Sequence, residues 1–92
     1  MERQRVHVLY SGLVQGVGFR YTVKTAAQGY EAAGWVRNLP DGRVELTAEG
    51  ERSELEAFLQ AIRDSGLGSL IQNEEIEWSP ARGDVAGFEI RR

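Results

Sequence analysis

The sequence contains no cysteine, a single histidine and no long apolar run. Without cysteine there is no disulfide framework, no thiolate nucleophile and no zinc–thiolate site. The one histidine, His7, falls in an alternating strand pattern and reads as a strand-surface residue rather than a ligand or a base. No cluster of His, Asp and Glu has metal-ligand spacing, so neither a metal nor a cofactor is expected. No apolar run approaches the length of a membrane span, and the opening Met1-Glu-Arg-Gln-Arg5 lacks the apolar region of a signal peptide. The expectation is a cytoplasmic protein with no membrane partner. Basic charge is also scarce: 11 Lys and Arg stand against 14 Asp and Glu, for a net charge of −3. Non-specific nucleic-acid binding depends on a basic surface, so no nucleic-acid partner is expected. An acidic chain that holds an anion must do so with local backbone donors and one or two placed cations, not with its overall field.

What is present is organised by periodicity. The 92 residues read as one domain, 1–92, with a modest core and no internal repeat or linker. Val6, Val8 and Tyr10 alternate with Arg5, His7 and Leu9 as a first strand. Phe19, Val23, Ala26, Ala27 and Tyr30 recur at helical spacing, with the helix ending at Gly29 or within Glu31-Ala-Ala-Gly34. Gly34 to Leu39 reads as a second strand. Pro40-Asp41-Gly42 is a turn signal, and Arg43 to Glu49 is a third strand, so these segments form a hairpin. On the third strand Val44, Leu46 and Ala48 face in, while Arg43, Glu45, Thr47 and Glu49 face out. Ser53 with Glu56 three residues on reads as a capping box, and Leu55, Phe58, Leu59 and Ile62 form the stripe of a second helix stopped by Gly66. A loop over 66–73 leads to a strand around Ile76 and Trp78. Phe88 and Ile90 make a short last strand. The order β-α-β-β-α-β plus a short C-terminal strand predicts an α+β ferredoxin-like sandwich, with two helices on one face of an antiparallel sheet.

Between the first strand and the first helix lies Gln15-Gly16-Val17-Gly18. Glycines permit φ > 0 and close backbone approach, so successive N–H groups can converge on one point as a nest. The first N–H groups of the following helix are unpaired and sit at the positive end of its dipole. Arg20, in the first turn, is disfavoured by that dipole and calls for an anionic partner, for which a phosphate gripped by the guanidinium fork is the simplest. The other reading of the same residues is a bare strand-to-helix turn carrying a surface arginine. Asn38 likewise reads two ways. It can orient a water through its amide, or it can open the hairpin by bonding its own backbone.

Two blocks bear on those alternatives. Gly12-x-Val14-Gln15-Gly16-Val17-x-Phe19-Arg20 resembles one signature of the acylphosphatase family, and Gly34-Trp-Val-Arg-Asn38-Leu-Pro-Asp41-Gly42-Arg-Val44-Glu45 resembles the other. They stand in the family's order and at its spacing. The chain departs from the family in carrying Glu31 where glycine is usual, and in having no proline near the start of the 66–73 loop. The resemblance implies hydrolysis of acyl phosphates to a carboxylate and inorganic phosphate. It implies that Arg20 binds phosphate and Asn38 orients the attacking water. The backbone amides of Gln15, Gly16, Val17, Gly18 and Phe19 are expected to complete the phosphate site.

The residue inventory agrees with that chemistry. A carboxyl phosphate expels a stable carboxylate and needs no general acid. An anion cradle, an arginine and an asparagine therefore suffice to hold the phosphoryl group and aim a water in line. Asp41 and Glu45 are read as a solvated pair on the hairpin, not as catalysts. Alternatives on the same fold are a phosphate- or small-ligand-binding regulatory module and a carbamoyl-phosphate-handling domain. An RNA reader would need exposed aromatics within a basic patch, and here Trp35 stands in an acidic chain. A monomer is expected.

Overall fold

The computed structural model describes residues 2–92; Met1, the first residue of the opening segment, lies outside the described residues. The chain forms β1 (Arg3–Gly12), α1 (Phe19–Ala27), β2 (Ala33–Asn38), β3 (Val44–Glu51), α2 (Arg52–Asp64), β4 (Ile71–Pro80) and β5 (Phe88–Arg91), with a 3-10 turn at Gly68–Leu70. One five-stranded sheet has the order β4-β1-β3-β2-β5. β3 is antiparallel to both β1 and β2, so β1 and β2 run parallel to each other, and their C-terminal ends emerge at the same end of the sheet.

The period-two alternation does its work on one face. Val6, Val8, Tyr10, Val36, Val44, Leu46 and Ala48 are fully buried beneath the helices. Phe19, Val23 and Ala27 from α1 and Leu55, Phe58, Leu59 and Ile62 from α2 close over them, with Ala26 and Tyr30 packed at the margin. Phe58 meets Phe88 edge-on, with ring centroids 5.7 Å apart, which seals the core at the β5 side. No helix among the described residues is long and apolar enough to cross a membrane.

Several boundaries differ from the sequence expectation. The sheet is not wholly antiparallel, because β5 pairs parallel with β2. Residues 81–87 carry the chain from β4 at one edge across to β5 at the other, so β5 enters alongside β2. Thr47 and Glu49 do not face solvent. The Glu49 side chain is 1% exposed, because the amides of Arg82 and Gly83 in that crossing segment donate to it at 2.9 and 3.0 Å. Ser53 is not the cap of α2. β3 stays paired with β1 through Arg3↔Glu51, so the chain is extended up to Glu51 and turns helical at Arg52. Glu54 in the first turn instead accepts the Glu31 N–H at 3.1 Å. At the other end Ser65, not Gly66, ends the helix, its hydroxyl donating to the Ile62 carbonyl at 2.7 Å. β4 begins at Ile71, inside the segment read as a loop. It pairs along β1 as far as Gly12↔Ile71, yet as a largely exposed edge strand it carries Gln72 and Asn73 where a core strand would be apolar.

Candidate active site

The segment after β1 is held in place before it reaches the helix. A register shift at Ser11/Gly12 breaks the β1–β4 ladder. Gly12 has φ 126°, and a Cβ there would run into the Leu70 carbonyl oxygen. Only glycine fits that turn. The Leu13 N–H then donates to the same Leu70 oxygen at 3.1 Å, and Val14, 1% exposed, plugs the segment into the core. Gly18 caps α1 in the left-handed region at φ 85°, and its carbonyl accepts the Thr22 N–H at 3.0 Å. Phe19 is buried edge-on against Tyr10 at 5.2 Å, which fixes where the helix starts. Burial pushes the Tyr10 hydroxyl well above its ordinary pKa, so it stays protonated.

The result is a run of unpaired amides. Among the described residues no acceptor takes the backbone N–H of Gln15, Gly16, Val17, Gly18, Phe19 or Arg20. The first turn of α1 holds no acidic residue to screen them. Arg20 is half-buried and has no carboxylate within ion-pair distance among the described residues. Arg5, Arg37, Arg43, Arg52, Arg63 and Arg91 are each held by a carboxylate.

Asn38 is the last residue of β2, and its cross-strand partner is Val44. The hairpin closes without it. The Leu39 N–H donates to the Arg43 carbonyl at 2.8 Å, and Asp41 Oδ1 accepts the Arg43 N–H at 3.1 Å. The Asn38 side-chain oxygen is buried and has no hydrogen-bond partner among the described residues. Asp41 thus supplies the turn chemistry that Asn38 was equally suited to supply. Glu45 is not solvated. Burial pushes its carboxyl up, but bonds from His7 at 2.7 Å and Arg37 at 2.6 Å outweigh that and hold it below the usual value.

The loop and the end of β2 come together. Gln15 Nε2 donates to the carbonyls of Leu39 and Arg43, each at 2.8 Å. They meet at the end of the sheet, across β3. This side-chain link was invisible in the sequence, where Gln15 figured only through its backbone. A cleft of about 400 Å³ on the open face, lined by residues including His7, Trp35 and Arg37, contains none of the loop residues. Among the described residues no group of three His, Asp or Glu side chains could hold a metal ion.

Unpaired amides beside an arginine that no carboxylate holds suit an oxyanion, and known proteins resemble this chain along nearly its whole length. The acylphosphatase of Anaeromyxobacter dehalogenans is 40% identical over 90 residues, covering 98% of this chain and 97% of that protein. The crystal structure of acylphosphatase from Bacillus subtilis superposes with a TM-score of 0.89 at 35% identity, covering 97% and 99% of the two chains. Full-length HypF in its phosphate- and nucleotide-bound form matches with a TM-score of 0.84 at 28% identity, but the match covers only 12% of it. The relatives that match at about 40% identity are named acylphosphatase, which favours the enzyme over a regulatory module or a carbamoyl-phosphate-handling domain. The acylphosphatase family model spans residues 6–90, and with it the chain belongs to the acylphosphatase family, enzymes whose substrates are acyl phosphates.

Proposed function

We propose that the amides of Gln15–Phe19 and the Arg20 guanidinium hold the phosphoryl group of the substrate, and that Asn38 orients the water that attacks it. The observation that carries this reading is Arg20, half-buried at the end of a run of unpaired amides, with no carboxylate among the described residues to neutralise it. A phosphate supplies the missing charge, and its oxygens match a planar fork of donors. The buried, unpartnered oxygen of Asn38 is an acceptor for a water hydrogen. A neutral amide takes up no proton at neutral pH, so Asn38 positions the water and does not deprotonate it. The water oxygen bonds to phosphorus as the bond to the acyl oxygen breaks. The carboxylate leaves with the bonding pair, and the water proton passes to a phosphate oxygen. No step calls on a metal or a cofactor. The protein acts as a cytoplasmic monomer, a single domain over 1–92, releasing inorganic phosphate.

The two residues separate by experiment. With benzoyl phosphate as substrate, Arg20→Ala loses both turnover and the stabilisation that phosphate gives in thermal melts. Arg20→Lys recovers little, since a point charge does not replace a fork. Asn38→Ala lowers kcat by roughly a hundredfold or more, as loss of one placed polar group does in other sites, and keeps phosphate binding. Full activity in Asn38→Ala would remove the water assignment.

A further inference from the structure

Gln15 reaches away from the cradle to which its own amide belongs. One side-chain amide places both hydrogens on the hairpin that follows Asn38, at 2.8 Å to the Leu39 carbonyl and 2.8 Å to the Arg43 carbonyl. Leu39 is the chain neighbour of Asn38. The Arg43 carbonyl also accepts the Leu39 N–H, so these two bonds grip the turn at its narrowest point. The strands that lead to the loop and to Asn38 are not neighbours, because β3 lies between β1 and β2. Among the described residues no other hydrogen bond joins residues 13–18 to residues 38–43. The loop's opposite flank is fastened elsewhere, by the Leu13 bond to Leu70. Gln15 is half-buried, so its bonds are partly shielded from competing water.

In-line attack has a geometric requirement. The phosphorus is held by the loop and the water by Asn38, and the two must lie at reacting distance and in line. A misplacement of about 1 Å in such an arrangement costs up to roughly a hundredfold in rate. We infer that Gln15 is a positioning residue whose side chain sets the alignment between the phosphoryl cradle and the water on Asn38. This rests on the assignment of Arg20 and Asn38 proposed above. It adds that binding and turnover are separable at Gln15, because the cradle donors belong to the backbone and to Arg20 while the link belongs to the Gln15 side chain.

Gln15→Met tests it, since methionine keeps the length and has no donor. Gln15→Ala is carried beside it, and kcat is taken per folded molecule from denaturation curves, so that loss of fold is not read as loss of rate. The expected result is a kcat lower by roughly ten- to a hundredfold, with the dissociation constant of inorganic phosphate within about threefold of the parent. In an Asn38→Ala background, Gln15→Met should lower kcat by less than about threefold, because two residues acting through one alignment are not additive. Parallel loss of phosphate affinity and kcat overturns the inference, since Gln15 would then be shaping the cradle itself. Full additivity with Asn38→Ala also overturns it. An unchanged kcat in Gln15→Met beside an impaired Asn38→Ala overturns the inference and leaves the proposed mechanism standing. Full activity in Asn38→Ala alone removes the mechanism, and the inference with it.

Discussion

Glu49 shows how one carboxylate can hold a segment that the core does not reach. Its side chain is shielded from water on the face of the sheet opposite the helices. Burying a charge costs several kcal/mol unless it is paired and hydrogen-bonded. Here Arg5 donates at 2.7 Å, and the amides of Arg82 and Gly83 donate at 2.9 and 3.0 Å. Arg5 also holds Asp84 at 3.0 Å, so one ion-pair cluster ties residues 82–84 to the centre of the sheet. Burial pushes the Glu49 carboxyl up, but the two amides and Arg5 outweigh it, and its pKa lies below the usual glutamate value. A carboxyl depressed in the folded state stabilises fully above its unfolded pKa of about 4.3 and loses that contribution as pH falls through its folded value. Glu49→Gln should therefore cost about 1–3 kcal/mol at neutral pH, the range for losing bonds to a charged group. Its unfolding free energy should also fall less steeply than the parent's below about pH 4.3. Urea melts of both proteins from pH 7 down to pH 3 measure both effects, and curves that run parallel throughout would show that Glu49 has no linkage to the fold.

At the scale of elements, tertiary pairing overrules local signals wherever the two compete. Ser53 and Glu56 spell a capping box, yet β3 is hydrogen-bonded to β1 up to Glu51 and the helix begins directly after it. Ser53 lies within the first turn, exposed, and no side-chain bond caps the helix. Ser53→Ala should therefore change stability by no more than about 0.5 kcal/mol, the range for an exposed site without a special contact. A fall of about 1 kcal/mol in chemical denaturation would restore the cap. The same competition explains what the sequence made legible. The stripe of α2, the Phe19, Val23 and Ala27 part of the α1 stripe and the alternation of β1 are read correctly because each buries a whole face, whereas α1 ends at Ala27, short of Tyr30, and β3 also buries Thr47 and Glu49 on its second face. β4 is longer than its apolar pattern, since an edge strand is defined by backbone pairing to β1 rather than by burial. The direction of β5 depends on how residues 81–87 cross the sheet, which no local period encodes. In the candidate site, the glycine turn, Arg20 and Asn38 could be named from the sequence only because each lies in a block that resembles a family signature, since local chemistry alone left each of them two readings. The Gln15 link could not be, because it joins residues 24 and 28 positions apart.

At the scale of the molecule, the net charge of −3 repels anions, while one end of the sheet presents unpaired amides beside Arg20. β1 and β2 are parallel and both end there, so the loop after β1 and the asparagine ending β2 share one rim above a common core. That arrangement couples the site to global stability. The segment carrying the amides of residues 15–20 is held in place by Val14 and Phe19 seated in the core and by the Gln15 bond to the hairpin. The unfolded chain has no such cradle and only its diffuse negative charge. Inorganic phosphate should therefore bind the folded state alone and raise the melting temperature. A ligand selective for the folded state contributes about 1.4 kcal/mol at ten times its Kd. For a domain of this size that corresponds to a rise of roughly 5–10 °C. Chloride at matched ionic strength controls for general screening, which would weaken the protein's self-repulsion without using the site. Phosphate should exceed that control in the parent and equal it in Arg20→Ala, where the amides lose the neighbouring guanidinium. Equal melting temperatures in phosphate and chloride for the parent would mean that the free amides and Arg20 do not form an anion site.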